Sequence, residues 1–187
     1  MARSINSSES WKNATWKRYL KSVFRLQRRI FKAVLSGDLR RAKKLQKLLL
    51  RSFAAKMLAV KRVTQLNKGK NTAGVDGKKV LTPRARIKLV EKLKQEWAKW
   101  DHQELRPVEI PKSNGKTRTL KIPTIADRAW QALLKSAIEP AHEATFHARS
   151  YGFRPGRGTH DAQEYVFLNL KGNSRRKSGP ATIGVTH

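Results

Sequence analysis

Two short clusters in this 187-residue chain carry side chains suited to chemistry on a polyanion. The first, Ile110-Pro-Lys-Ser-Asn-Gly-Lys-Thr-Arg118, centres on Asn-Gly, the strongest short signal for a β-hairpin. A hairpin here displays Lys112, Lys116 and Arg118 near its tip, and strand alternation puts Lys116 and Arg118 on one face. Cations on a rigid ribbon suit a phosphate, because little side-chain freedom is lost on binding. The same lysines equally suit an edge kept soluble by charge, and spacing does not separate the two readings. The second cluster, Ser150-Tyr-Gly-Phe-Arg-Pro-Gly-Arg-Gly158, sets Arg154 and Arg157 around a Pro-Gly turn and interleaves Tyr151 and Phe153. Aromatics beside Arg suit stacking on bases and pairing with phosphates. In the alternative reading the aromatics pin the loop to the core and only the Arg side chains face outward. Both are expected to hold in part.

Other chemistries find little support. There is no Cys, which excludes a disulfide framework, a thiolate metal site and a Cys nucleophile. His142 and His147 are five residues apart and so do not share a helix face. Asp161 stands at a helix start, where its expected role is at the N-terminus. No paired carboxylates stand out as a magnesium site. The sequence therefore nominates no catalytic residue and no metal ligand.

The elements that must position these clusters are mostly helical. Trp16, Tyr19, Leu20, Val23, Phe24, Ile30, Phe31, Val34 and Leu35 recur at mainly three- and four-residue steps and predict a helix over 11–35. Arg25, Arg28 and Arg29 lie on its polar face. Ser36-Gly37-Asp38 breaks it, and a second amphipathic helix over 38–60 carries Lys43 and Lys44 opposite Ala42, Leu45 and Leu49. A Gly-rich loop covers 67–77, and Thr82-Pro83 opens a helix to about Trp100. Strands near 108–110 and 118–122 form the hairpin. Thr124 caps a helix limited by Pro140, and a last helix covers about 159–170.

The net charge of +29 is unevenly spread. Residues 1–60 hold 16 basic and 2 acidic residues, whereas 101–170 hold 10 and 8. A near-balanced, motif-rich middle beside a basic arm suggests a specific site next to an electrostatic anchor for nucleic acid. No apolar run reaches the roughly 18 residues of a membrane span, and the first residues are polar rather than a signal segment. The expectation is a protein with no membrane partner, not secreted, in the cytoplasm or in an organelle or nucleoid of its host.

Four motifs then appear in order: Gly74-Val-Asp-Gly77, Ile110 to Arg118, Ile122-Pro-Thr-Ile-Ala-Asp-Arg-Ala-Trp-Gln131, and Ser150 to Arg157. Together they resemble the N-terminal part of a group II intron reverse transcriptase, or maturase, over about residues 11–170. The resemblance implies an α+β, mostly α-helical fold: the fingers portion of a right-handed polymerase, with a β-hairpin and a helical N-terminal extension. It implies three segments: a basic helical-hairpin extension at 1–60, fingers and the start of the palm at 61–170, and a divergent, disordered tail at 171–187.

The resemblance also implies roles. Lys112, Lys116 and Arg118 would contact nucleotide triphosphate or template backbone. Tyr151, Phe153, Arg154 and Arg157 would line the template–primer path. Arg25, Arg28, Arg29, Lys43 and Lys44 would grip intron RNA and template. The implied partners are group II intron RNA, an RNA template and primer, and, for completion of the enzyme, a palm-bearing second chain. No Tyr-x-Asp-Asp occurs, and residues 172–187 contain no Asp. Two-metal polymerase chemistry needs such carboxylates. Activity by this chain alone is therefore not expected, no cofactor is assigned to it, and Mg2+ is expected only in a complete enzyme. The alternatives are a stand-alone basic protein that binds RNA and assists splicing, and a truncated, non-functional remnant.

Overall fold

The computed structural model describes residues 11–113 and 115–171. They are mostly helical with one antiparallel β-hairpin, an α+β arrangement. The chain order is α1 (Trp16–Leu35), α2 (Leu39–Arg51), α3 (Phe53–Lys61), α4 (Pro83–Glu96), β1 (Arg106–Pro111), β2 (Thr117–Ile122), α5 (Ile125–Thr145) and α6 (Thr159–Leu170). It divides into one unit ending at Thr145 and another beginning at Phe146.

The helix breaks follow local chemistry. Gly37, at φ 73°, ends α1 by taking the left-handed conformation, and its N–H reaches the Val34 carbonyl. Asp38 caps α2, its carboxylate accepting from the Arg41 N–H at 2.9 Å. The single helix expected over 38–60 is two, because Ser52 is extended and separates α2 from α3. The break marks a change in what is buried. α2 is amphipathic, whereas α3 buries Ala54, Ala55, Met57, Ala59 and Val60 and runs through the interior. Lys56 is buried with them, and desolvation, with Lys94 nearby, pushes its ammonium below the usual lysine range. Trp11 precedes α1 proper and is buried edge-on against Trp16. On α1 the buried stripe is Val23, Ile30 and Ala33, while Leu20, Phe24 and Leu35 of the expected stripe are exposed.

α5 links the two cores of the first unit. Ile125 and Ala129 pack with Met57, Val60, Val90 and Leu93, while Leu133 and Ala137 pack with Ile30, Leu45 and Leu49. These four α5 residues are each four apart and form one stripe. The segment expected to precede residue 60 and the segment after it thus share their interior through α5.

Pro140 does not limit α5, which continues to Thr145. A proline inside a helix brings no N–H to the carbonyl four residues earlier, here Ser136. That carbonyl instead accepts a hydrogen bond at 2.9 Å from the Gln27 side chain of α1. Gln27→Leu should therefore cost about 1–3 kcal/mol by orphaning the carbonyl. In a Pro140→Ala background, where residue 140 regains its N–H, the same change should cost less. Urea unfolding of the four proteins measures the coupling, and strict additivity would show that Gln27 does not serve this carbonyl.

Candidate nucleic-acid interface

Arg25, Arg28 and Arg29 on α1 and Lys43 and Lys44 on α2 are all exposed. Between residues 11 and 75 the only acidic residue is Asp38, already used as a cap. Ion pairs among the described residues include Lys92–Glu96, His102–Asp127 and Lys135–Glu139, and none of these falls on α1, α2 or α3. The basic faces of α1 and α2 thus carry no ion pair among the described residues. Other cations serve the fold instead. Lys61 sits 4.0 Å from the Trp16 ring centroid, and Arg86 donates to the Thr64 carbonyl at 3.3 Å.

The hairpin pairs Ile110 with Arg118 and Pro111 with Thr117. The Lys112 N–H continues the ladder to the Lys116 carbonyl at 2.7 Å. This register sets Lys112, Lys116 and Arg118 on one face, with Val108 and Ile110 nearer its base. The turn closes with the Gly115 N–H on the Lys112 carbonyl and Gly115 at φ 74°, as a three-residue loop requires. On the other face Thr119 donates to Glu109 at 2.5 Å.

Both feet of the hairpin meet at one buried carboxylate. Asp127 accepts from the Thr124 hydroxyl at 2.6 Å, just after β2, and from the Trp100 indole at 2.8 Å, just before β1. His102 Nδ1 lies 3.2 Å away and the Gln103 N–H also donates. Burial by itself raises the Asp127 pKa, but bonds from Thr124, Trp100, Gln103 and His102 outweigh it and hold the carboxyl below its usual range. Trp130 completes the foot. It stacks on Trp100 at 6.4 Å and donates to the Trp97 carbonyl at 3.1 Å. The expected Thr124 cap is formed, its hydroxyl accepting from the Asp127 N–H at 3.1 Å, while the Asp127 carboxylate faces the hairpin feet. Its role as the tie between the two feet was missed, because spacing does not show that Trp100 and His102 return to it.

Arg128 clamps the Gly-rich loop to the same helix. Its guanidinium donates to the Gly69 carbonyl at 2.9 Å and to the Thr72 carbonyl. Gly74 lies against the backbone of Thr124, where a Cβ would stand 2.6 Å from Thr124 Cα and 2.7 Å from its N. The motif Gly74 to Gly77 and the motif Ile122 to Gln131 are thus two sides of one contact.

In the second unit the loop inverts part of its expected arrangement. Arg154 is buried, not outward: its Nη1 donates to the His147 and Ser150 carbonyls at 2.8 and 2.7 Å. Phe153, expected to pin the loop, is fully exposed at φ 59°. The guanidinium wins the interior because loop carbonyls need donors there and a phenyl ring supplies none. Arg157 is exposed over the Tyr151 ring at 5.4 Å. Tyr151 in turn neighbours Tyr165 of α6 at 6.1 Å, and Arg149 lies 5.4 Å over Tyr165. This Arg–Tyr–Tyr–Arg row adds Arg149 and Tyr165 to the aromatic–cation surface. Neither stood out in the sequence, since Tyr165 comes from the next helix.

Among the described residues no three His, Asp or Glu side chains gather into a metal site, and Asp161 accepts from the Gly158 N–H at the start of α6. None of the described helices is long and apolar enough to cross a membrane.

Comparison with known proteins places this geometry. Residues 11–93, which run from Trp11 into α4, match the family model for the N-terminal domain of reverse transcriptase. The chain is 39% identical over 160 residues to maturase-like protein 1 of Euglena gracilis, covering 86% of this chain and 35% of that protein. It is 36% identical over 158 residues to maturase-like protein 1 of Euglena longa, covering 84% and 35%. Protein YkfC of Escherichia coli K12 is 45% identical over 113 residues, covering 58% and 29%. The chain therefore spans about a third of the length of these relatives. With the shared N-terminal domain, the cationic hairpin and the four ordered motifs, the chain belongs to the group II intron reverse transcriptase/maturase family, as an N-terminal portion.

Proposed function

We propose that this chain binds intron RNA through the basic faces of α1 and α2, and presents the hairpin cations to template backbone or nucleotide triphosphate. The observation that carries the reading is the unneutralised cation surface on α1 and α2, in a domain matching the reverse transcriptase N-terminal family. RNA phosphates supply the missing counter-charge. The exposed Arg–Tyr row around Arg157 adds stacking for unpaired bases. Arg154 serves this surface by holding the loop that presents Arg157 and Tyr151. A palm-bearing polypeptide, from the same or a second chain, would supply the carboxylates for DNA synthesis. We place the protein where intron transcripts are made, in the cytoplasm, nucleoid or an organelle of the host.

Binding should be steeply salt-dependent. If roughly six to eight phosphates are neutralised, log K falls with log salt at a slope near −5, and a fourfold rise in salt costs about 10³ in affinity. Fluorescence titration of labelled group II intron RNA across a salt series measures the slope. Competition with random RNA of equal length then reads specificity. A slope near zero would remove the electrostatic basis of the proposal.

A further inference from the structure

The basic face of the helical hairpin is not uniform. Ser22, Arg25, Leu26 and Arg29 of α1 line one wall of an open groove of about 460 Å³, and Leu48, Arg51 and Ser52 line the other. The α1 residues fall at i, i+3, i+4 and i+7 and form one helical stripe, and the other wall is Leu48 and Arg51, neighbours on the last turn of α2, with the extended Ser52 that follows. Because α1 and α2 run antiparallel through a short turn, the two walls face each other, and Arg25, Arg29 and Arg51 all line the groove between them. We propose that this groove is a dedicated seat for one phosphodiester of bound RNA, gripped by Arg25, Arg29 and Arg51.

This rests on the RNA-binding reading and narrows it to a site. Three features separate the groove from the surrounding charge. First, all three cations are Arg, whose planar fork donates two parallel hydrogen bonds to phosphate oxygens. Second, no acidic side chain lines the groove, and none of the three makes an ion pair among the described residues. Arg25 and Arg29, one turn apart, repel each other, and Arg51 across the groove adds to this. A bound anion turns that cost into attraction. Third, the half-buried Leu26 and half-exposed Leu48 exclude part of the solvent and so strengthen charge–phosphate interaction locally. Ser52 makes no side-chain cap bond to α3, which leaves its hydroxyl available at the groove edge.

The test compares two triple variants with equal loss of charge. One is Arg25→Gln, Arg29→Gln, Arg51→Gln; the other is Arg18→Gln, Lys32→Gln, Lys47→Gln, on exposed positions of the same helices. Affinity for a labelled single-stranded RNA is measured at fixed salt, with circular dichroism to confirm helicity. The groove triple should bind about tenfold more weakly than the control triple. A third variant, Arg25→Lys, Arg29→Lys, Arg51→Lys, keeps the charge and removes the forks. It should fall between wild type and the groove glutamine triple, and it decides the matter if the glutamine variant does not fold. Equal losses in the two glutamine triples, or a lysine triple that binds like wild type, overturn the seat but leave RNA binding standing. A wild-type chain that does not bind the RNA overturns both.

Discussion

Gly74→Ala should destabilise the first unit by about 3 kcal/mol, near the top of the usual overpacking range. The position is not one of conformational freedom, since Gly74 does not adopt a positive φ. It is one of close approach. The added methyl would meet Thr124 Cα at 2.6 Å and Thr124 N at 2.7 Å, and both are backbone atoms with no rotamer to yield. Thr124 cannot retreat without losing its bonds to Asp127, so the clash is transmitted to the start of α5 and to the foot of β2. For a chain of this size the melting temperature should fall by roughly 6–12 °C. Gly77→Ala is the control. Gly77 is at φ 63° with open space around its Cβ position, so its cost is the strain of a left-handed alanine, about 1–2 kcal/mol. If thermal unfolding shows Gly74→Ala to be the milder of the two, the contact between the Gly74 loop and α5 is not as close as described.

That contact also shows where sequence reading ends. Asp38, Thr82 and Thr124 were legible as caps because each bonds to a backbone N–H three residues on. The hairpin was legible because its Asn-Gly turn and its alternation are local as well. Gly74 was legible only as a turn residue, since Thr124 lies far along the chain. Pro140 read as a helix limit because its remedy, Gln27, is 109 residues from the Ser136 carbonyl that it serves. The break at Ser52 was hidden for a similar reason: the apolar spacing runs on, but the surroundings change from one-sided to complete burial. At the candidate site, composition located the basic helices and register located the hairpin cations. Charge alone did not distinguish a buried clamp such as Arg154 from an exposed Arg157, because both look alike until the loop carbonyls are in place. The groove with Arg51 was invisible for the same reason, as it needs two helices side by side.

Asp127 should dominate both the stability of the first unit and its response to acid. Asp127→Ala removes the acceptor for the Thr124 hydroxyl, the Trp100 indole and the Gln103 N–H in a site where Asp127 is 2% exposed. Each orphaned donor costs about 1–3 kcal/mol, and partial access of water to the rim limits the total to about 3–5 kcal/mol. Asp127→Asn keeps the shape and isolates the charge. Because the folded carboxyl titrates below its ordinary value near 3.8, the carboxylate contributes fully above that value, and its contribution disappears as pH falls through the folded value. The stability difference between wild type and Asp127→Asn should therefore be constant from neutral pH to about pH 5 and shrink below 3.8. Mutual repulsion within a chain of net charge +29 also promotes acid unfolding, but it acts on both proteins and cancels in the difference. Urea unfolding at a series of pH values reads this gap, and a gap that does not change on acidification would mean that the carboxyl titrates alike in the folded and unfolded chain, so that the hydrogen bonds do not favour its charged form. Near-UV circular dichroism of the Trp100–Trp130 stack reports the hairpin foot directly. In Asp127→Ala that signal should fade under conditions where far-UV helicity persists. The hairpin cations would then keep their register with one another and lose their fixed direction relative to α5, so the triphosphate or template contacts proposed for Lys112, Lys116 and Arg118 should weaken with no change in any of those residues.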